Sequence, residues 1–355
     1  MAGAQQDVLV NAEVLRRFAQ ACLARVGVPP EDAAKVADNL LYAQLRGVDS
    51  HGVTRLLKTY VERVQAGLVN VRPAIAVLQD GPSTAALDGD NGLGAVVGSR
   101  AVTVCLEKAR EVGSAWVAVR NSNHFGTCAF YTNRIADAGM VGFVFTNAPA
   151  TMAPWGGVKA YFGTNPIAFA APMRSGATVS VDMATSVAAR GYILLAAAKN
   201  EPIPEGWALD AEGRPTTDPH RALAGSLMPM SAHKGAALAL MVDVLSGVLT
   251  GAAFGASVGE MYGETAAHPQ GVGHLVGALA IDRFLPLETF FERMDQLAGE
   301  VRANPPASGV KRIYLPGEIE AAKAEQRQRD GIPVPAAIHR QLQELGDRLG
   351  VSFNE

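Results

Sequence analysis

Residues 116–130, WVAVRNSNHFGTCAF, run from an apolar, β-rich stretch through a polar turn carrying His124 into a helical pattern that Thr127 is placed to cap. Strand, turn and helix in direct succession make the basic unit of an α/β protein. The same texture extends to both sides. Short β-rich runs fall at 74–78, 84–87, 115–119, 142–146, 167–171 and 178–181, with helical patterns at 95–112 and 127–138 between them. The expected fold class is therefore α/β, a sheet with helices packed on it.

Outward from this centre the texture becomes helical. Residues 7–68 read as helix, with Val14, Leu15, Phe18 and Cys22 at helical spacing, and Ala34, Val36, Ala37, Leu40 and Leu41 repeating it after the Pro29-Pro30 breaker. Residues 203–223, rich in Pro, Gly and Asp, read as a loop. They lead into an apolar helix at 232–249, expected to be buried on nearly all sides. The charged, amphipathic tail at 318–349 is expected to form surface helix packed on the N-terminal helices. Residues 263–274, with His268 and His274, fit no pattern that assigns them to a site or to a loop.

The chain has 355 residues, 48% hydrophobic and 18% charged, enough for one large core or a few smaller ones. A formal charge of −3 offers no broad positive field for nucleic acid, so a small-molecule ligand is expected. Cys22, Cys105 and Cys128 are odd in number and far apart, which points away from a disulfide framework or zinc site and toward a reducing cytoplasm. The first twenty residues show no export signal. The most apolar stretch, 236–242, is far shorter than the ~20 residues of a membrane span.

Four segments place chemistry-bearing residues where ligands bind. In residues 46–60, RGVDSHGVTRLLKTY, Ser50 is a candidate N-cap, and His51 and Arg55 lie opposite the stripe Val53, Leu56, Leu57, Tyr60, Val61 and Val64. A histidine at a helix start is kept neutral by the macrodipole and can exchange protons, and a guanidinium one turn on suits a carboxylate. The alternative is a plain solvated face. In the opening stretch, His124 sits at the carboxyl end of a strand, with Phe125 and Gly126 able to pack against a cofactor ring or simply to make a tight turn. Residues 177–191, ATVSVDMATSVAARG, put Asp182 at a strand end, with Thr185 or Ser186 as a cap whose free amides would bind phosphate or ribose, or only close a helix. Residues 230–235, MSAHKG, put His233 and Lys234 in a first helical turn, suited to a phosphate or to simple snorkelling. The glycines of 92–98, GLGAVVG, are a residue too widely spaced for a dinucleotide fingerprint and read as a helix start.

Taken together, GVDSHGVTRL, NSNHFG, APWGG followed by GTNPIAFAAP, DMATSVAARG, HKGAALALMVDVLSG and LPGE occur in one order. In this the chain resembles the malate/L-lactate dehydrogenase family from about residue 10 to 325. The resemblance implies a family-specific, non-Rossmann nicotinamide-binding fold with a mixed sheet, NAD or NADP as cofactor, no metal, and a homodimer acting on a small carboxylate. It divides the chain into a helical unit from both termini (1–73 and 318–355), an α/β cofactor-binding unit (74–200 and 255–317) and a small helical subdomain (201–254). Carried over by motif, His51 would be the proton donor, oriented by Ser50, with His124 the second acid/base histidine. Arg55 would hold the substrate carboxylate, and Thr164, Arg190 and Gly191 would contact substrate. His124, Phe125, Gly126, Asp182, Met183, Ala184, His233, Lys234 and Gly317 would line the dinucleotide. In the family's cyclic imino-acid reductases an aspartate follows ARG, and here the residue is Tyr192. That departure favours a 2-hydroxy acid/2-oxo acid pair over a cyclic imine, and the retained Ser50, His51, Arg55 and His124 speak against a non-catalytic metabolite-binding role.

Overall fold

A computed structural model describes residues 7–261 and 267–353. The expected terminal units, which reach residues 1 and 355, and part of the unassigned 263–274 segment extend beyond the described residues. The chain opens with a strand, β1 (Val8–Val10), where the sequence reads as helix. Helix α1 (Ala12–Arg25) follows, capped by Asn11, whose Oδ1 accepts from the amides of Glu13 and Val14 at 2.9 and 3.3 Å. Pro30 starts α2 (Pro30–Leu45), where its missing N–H costs nothing. Leu15, Phe18 and Cys22 on α1 pack with Val36, Ala37, Leu40 and Leu41 on α2, as the spacing requires.

The next segment departs from the single helix expected of it. Two 3-10 turns, Asp49–His51 and Val53–Arg55, lead through a π-helical stretch, Leu56–Val61, into the short α3 (Glu62–Gln65). Ser50 therefore lies inside a turn and caps no helix.

The middle of the chain follows the predicted alternation closely: β2 (Ala76–Asp80), β3 (Thr84–Asp88), α4 (Gly94–Val112), β4 (Ser114–Ser122), α5 (Ala129–Asp137), β5 (Met140–Thr146), β6 (Ile167–Pro172) and β7 (Thr178–Met183). Residues 92–98 do start a helix. After α6 (Arg190–Lys199), the segment read as loop contains β8 (Ala208–Leu209), β9 (Pro215–Thr216) and α7 (Pro219–Ala224), and with β10 (Ser226–Leu227) it forms a small sheet. Then come α8 (His233–Asp243), a π-helical continuation Val244–Val248, β11 (Val272–Ala280), α9 (Leu287–Ala303), α10 (Glu318–Asp330), β12 (Ile332–Val334) and α11 (Ala336–Leu349).

Among the described residues, seven strands form a mixed sheet in the order β2-β3-β4-β11-β5-β6-β7. The β3–β4 pair, joined through α4, is parallel, and the other pairs are antiparallel. The strand from furthest along the chain is thus inserted between β4 and β5. Strand β11 is buried along nearly its whole length, with α4 among its neighbours and the π-helical continuation of α8 packed on it as well.

Both ends of the chain share one core. Strand β1 pairs with β12, α10 packs on α2 and α11 on α1, and Ile332, Leu342 and Leu345 join Leu15 and Phe18. The apolar helix does not bury all its sides as expected. Ala236, Ala239 and Val242 face the interior, while Leu240, Met241, Val244, Val248 and Leu249 form an exposed stripe, with Leu249 62% accessible.

Candidate active site

The turn after β4 is held from every side. Helix α4 starts against it so closely that a Cβ on Gly94 would lie 2.3 and 2.4 Å from the carbonyl oxygens of Asn123 and His124. The His124 amide donates to Gln270 Oε1 at 3.0 Å, and Asn39 Nδ2 donates to the Phe125 carbonyl at 3.1 Å. Gly126 takes a left-handed φ of +81°, where a side chain would also strike Asn39 Oδ1. Beneath lies His274, fully buried at a bulge in β11, its ring stacked on Phe125 at 3.9 Å. Its nitrogens reach Ser122 Oγ and Thr146 Oγ1, each at 2.8 Å. Both of its nitrogens meet hydroxyls, and burial holds its pKa down at about 3.

Over this turn stands the segment carrying His51. Ser50 Oγ is 3.1 Å from His51 Nδ1, and the His51 ring stacks on His124 with centroids 5.6 Å apart. Arg55 Nε donates to the Ser50 carbonyl at 2.5 Å, and its guanidinium also approaches Met261 Sδ at 3.9 Å. His51 is neutral at neutral pH as expected, but through burial, followed by the charge of Arg55, rather than a helix dipole. Together these push its pKa down to about 4. Burial, then His51, Arg55 and His274, hold the His124 pKa well below the usual histidine range. Tyr60 completes the group, its hydroxyl 3.1 Å from His124 Nδ1.

A cavity of about 1070 Å³ opens beside these residues. Ser50, His51, Gly126, Thr164, Asp182, Ala184 and Gly317 line it. His124 and Arg55 adjoin the lining residues His51 and Ser50, and Phe125 precedes Gly126 in the chain. Arg190 and Gly191 do not line the cavity, although Ala189 and Tyr192 on either side of them do. Met183, His233 and Lys234 are exposed and likewise off it. The backbone before His233 is strained, with Ser231 and Ala232 both left-handed at φ +48° and +60°.

Asp182 does more than end a strand. Its Oδ2 accepts from the Ala129 amide at 2.8 Å, and Cys128 N–H donates to it as well, so a carboxylate from β7 caps α5. Thr127, expected to be that cap, has its hydroxyl buried without a protein partner among the described residues. Thr185 and Ser186 cap no helix either. Their hydroxyls donate to the carbonyls of Thr164 and Ala188, and α6 starts at Arg190 after Ala189, without a side-chain cap. Although Asp182 opens onto the cavity, the protein packed around its carboxylate desolvates it and raises its pKa to about 6 against the pull of the two amides.

These features suit a dinucleotide. The cavity is large enough, Asp182 offers a carboxylate to ribose hydroxyls, the orphaned Thr127 hydroxyl awaits a polar partner, and the backbone of Gly126 lies at the wall. The residues that sequence reasoning missed, Tyr60, Gln270, His274 and Asn39, all act on His124 or its neighbours from elsewhere in the chain. Tyr60 was visible only as a member of an apolar stripe.

Residues 10–343 match the family model described as malate/L-lactate dehydrogenase. A malate dehydrogenase of Pyrococcus abyssi is 41% identical over 352 residues, covering 97% of this chain and 96% of its own length. An L-sulfolactate dehydrogenase of Methanocaldococcus jannaschii is 38% identical, covering 94% and 95%. Other relatives carry NAD(+) or NADP(+) in their names. The solved structure of malate dehydrogenase from Pyrococcus horikoshii OT3 superposes with a TM-score of 0.89 at 38% identity, over 98% of this chain and 97% of that one.

Proposed function

The chain belongs to the malate/L-lactate dehydrogenase family, and on that premise we propose that it is an NAD(P)-dependent dehydrogenase interconverting a 2-hydroxy acid of malate or lactate type with its 2-oxo acid. The observation that carries this reading is the pair of stacked, neutral imidazoles of His51 and His124 beside a cavity with the volume for a dinucleotide. A bound nicotinamide supplies or accepts the hydride. The chain's own residues bind, orient and move one proton. His51, neutral at the cavity wall and oriented by Ser50 Oγ, takes the hydroxyl proton in oxidation and passes it to solvent, and in reduction takes up a proton from solvent and hands it to the alkoxide oxygen. Arg55, fixed by the Ser50 carbonyl one turn away, supplies the cation for the substrate carboxylate, and Thr164 a hydroxyl at the wall. Asp182, Thr127 and Gly126 suit the ribose and ring of the cofactor, with Met183, Ala184 and Gly317 alongside. His233 and Lys234 are assigned to its phosphates by their place at the start of α8. Arg190 and Gly191 are assigned to the substrate end.

Tyr192 at the cavity wall, where the resembled imino-acid reductases have an aspartate, favours the 2-oxo acid over a cyclic imine. The exposed stripe on α8, with Leu194 and Leu195 exposed on α6, supports assembly as a homodimer. Three free, buried cysteines support a cytoplasmic setting. No described helix is long and apolar enough to cross a membrane. Nicotinamide absorbance with NADH and NADPH against oxaloacetate, pyruvate, sulfopyruvate and a cyclic imino acid tests the reading. Turnover of one 2-oxo acid is expected, and turnover of the imine alone overturns it.

A further inference from the structure

The hydrogen bond between Tyr60 and His124 reaches behind the candidate site and has a chemical consequence. Tyr60 is 2% exposed and sits in the π-helical stretch, a distortion of helix that recurs at functional sites. Its ring meets that of His124 at 60°, with its hydroxyl 3.1 Å from Nδ1. Among the described residues no other acceptor is bonded to that hydroxyl. A buried O–H without an acceptor is costly, so its proton goes to the bare Nδ1 of a neutral imidazole. Burial also pushes the Tyr60 pKa well above its usual range, against the opposing charge of Arg55, so the phenol keeps its proton. No protein group among the described residues is bonded to His124 Nε2.

We propose that Tyr60 is a positioning residue: by donating to Nδ1 it keeps the imidazole proton of His124 on Nε2, making that ring a neutral hydrogen-bond donor. Around His124 the titratable and charged neighbours are His51, Arg55 and His274, none of them a carboxylate that would stabilise an imidazolium. The two histidines therefore divide the work. His51 exchanges the proton, and His124 polarises the substrate oxygen without charging, as a neutral imidazole can. This division rests on the dehydrogenase reading above, whereas the tautomer itself does not.

Long-range proton–nitrogen correlation spectra of the full-length, unliganded protein labelled with ¹⁵N-histidine read the tautomer directly. The signals of His124 are assigned by their loss in His124→Asn. The expected wild-type pattern is a protonated Nε2 and a bare Nδ1, and Tyr60→Phe should mix the two tautomers. The same variant should lower kcat by about tenfold, the worth of roughly one hydrogen bond, while the dissociation constant of the dinucleotide stays unchanged. A proton on Nδ1 in the wild type, or identical spectra in wild type and Tyr60→Phe, overturns the proposal, and an unchanged kcat overturns its link to turnover. Because the wild-type spectrum needs neither substrate nor variant, it decides the tautomer even if Tyr60→Phe fails to fold or every acid in the assay is refused.

Discussion

His51 and His124 lie ring on ring, and neither gains from charging. Protonating either would put a cation beside the other and beside Arg55, inside protein that solvates it poorly. An imidazole with a pKa near 4 gives up a proton readily once it holds one, which suits brief exchange with a substrate oxygen. His51→Ala should lower turnover by about 10²-fold or more. Dinucleotide affinity, measured by fluorescence titration, should be largely preserved, and turnover near the wild-type rate would remove His51 from the role. Ser50, His51, Arg55 and His124 were legible because each sits in a short motif whose local chemistry is visible. Tyr60 and Gln270 were not, because each acts on a partner far away, 64 and 146 residues from His124 respectively. Spacing reports neighbours along a helix or strand, and it is blind to contacts made by folding.

At the level of elements, the start of α4 is the tightest joint in the site. A methyl group at Gly94 has nowhere to go, because backbone carbonyls of the His124 turn occupy its place. Gly94→Ala should cost about 1–3 kcal/mol, the usual range for overpacking, and lower kcat by displacing the turn. A thermal melt indistinguishable from wild type would show that the joint yields freely. Strands β2 to β7 and helices α4 and α5 were readable within a few residues, since turn residues and changes of period bound them. Strand β11 was not. Buried on both faces, VGHLVGALA shows none of the alternation that marks a half-exposed strand, and its one polar side chain, His274, is satisfied by Ser122 and Thr146. The 46–60 segment misled in the opposite way. Its apolar spacing is helical, but the backbone runs through 3-10 and π turns, which spacing alone does not reveal.

For the whole molecule, the apolar stripe of α8 and its continuation matters most. Leu240, Val244 and Val248 recur every fourth residue on the exposed side, and a soluble monomer rarely leaves such a row in water. Light scattering after size exclusion should find two copies per particle, and Leu240→Asp should shift the particle toward one. A wild-type particle of a single chain would sink the dimer.

The place of β11 in the sheet also sets an order of events during synthesis. Strands β4 and β5 leave the ribosome well before β11, the strand that lies between them in the folded sheet. His274 follows Ser122 by 152 positions, a stretch that takes about 8 to 30 s to make. Through that interval the nascent chain carries two unpaired edges of the kind that invite wrong partners. The residues that brace His124 from below are among the last to arrive, so a truncated chain could hold every motif of the first half and still lack a working site.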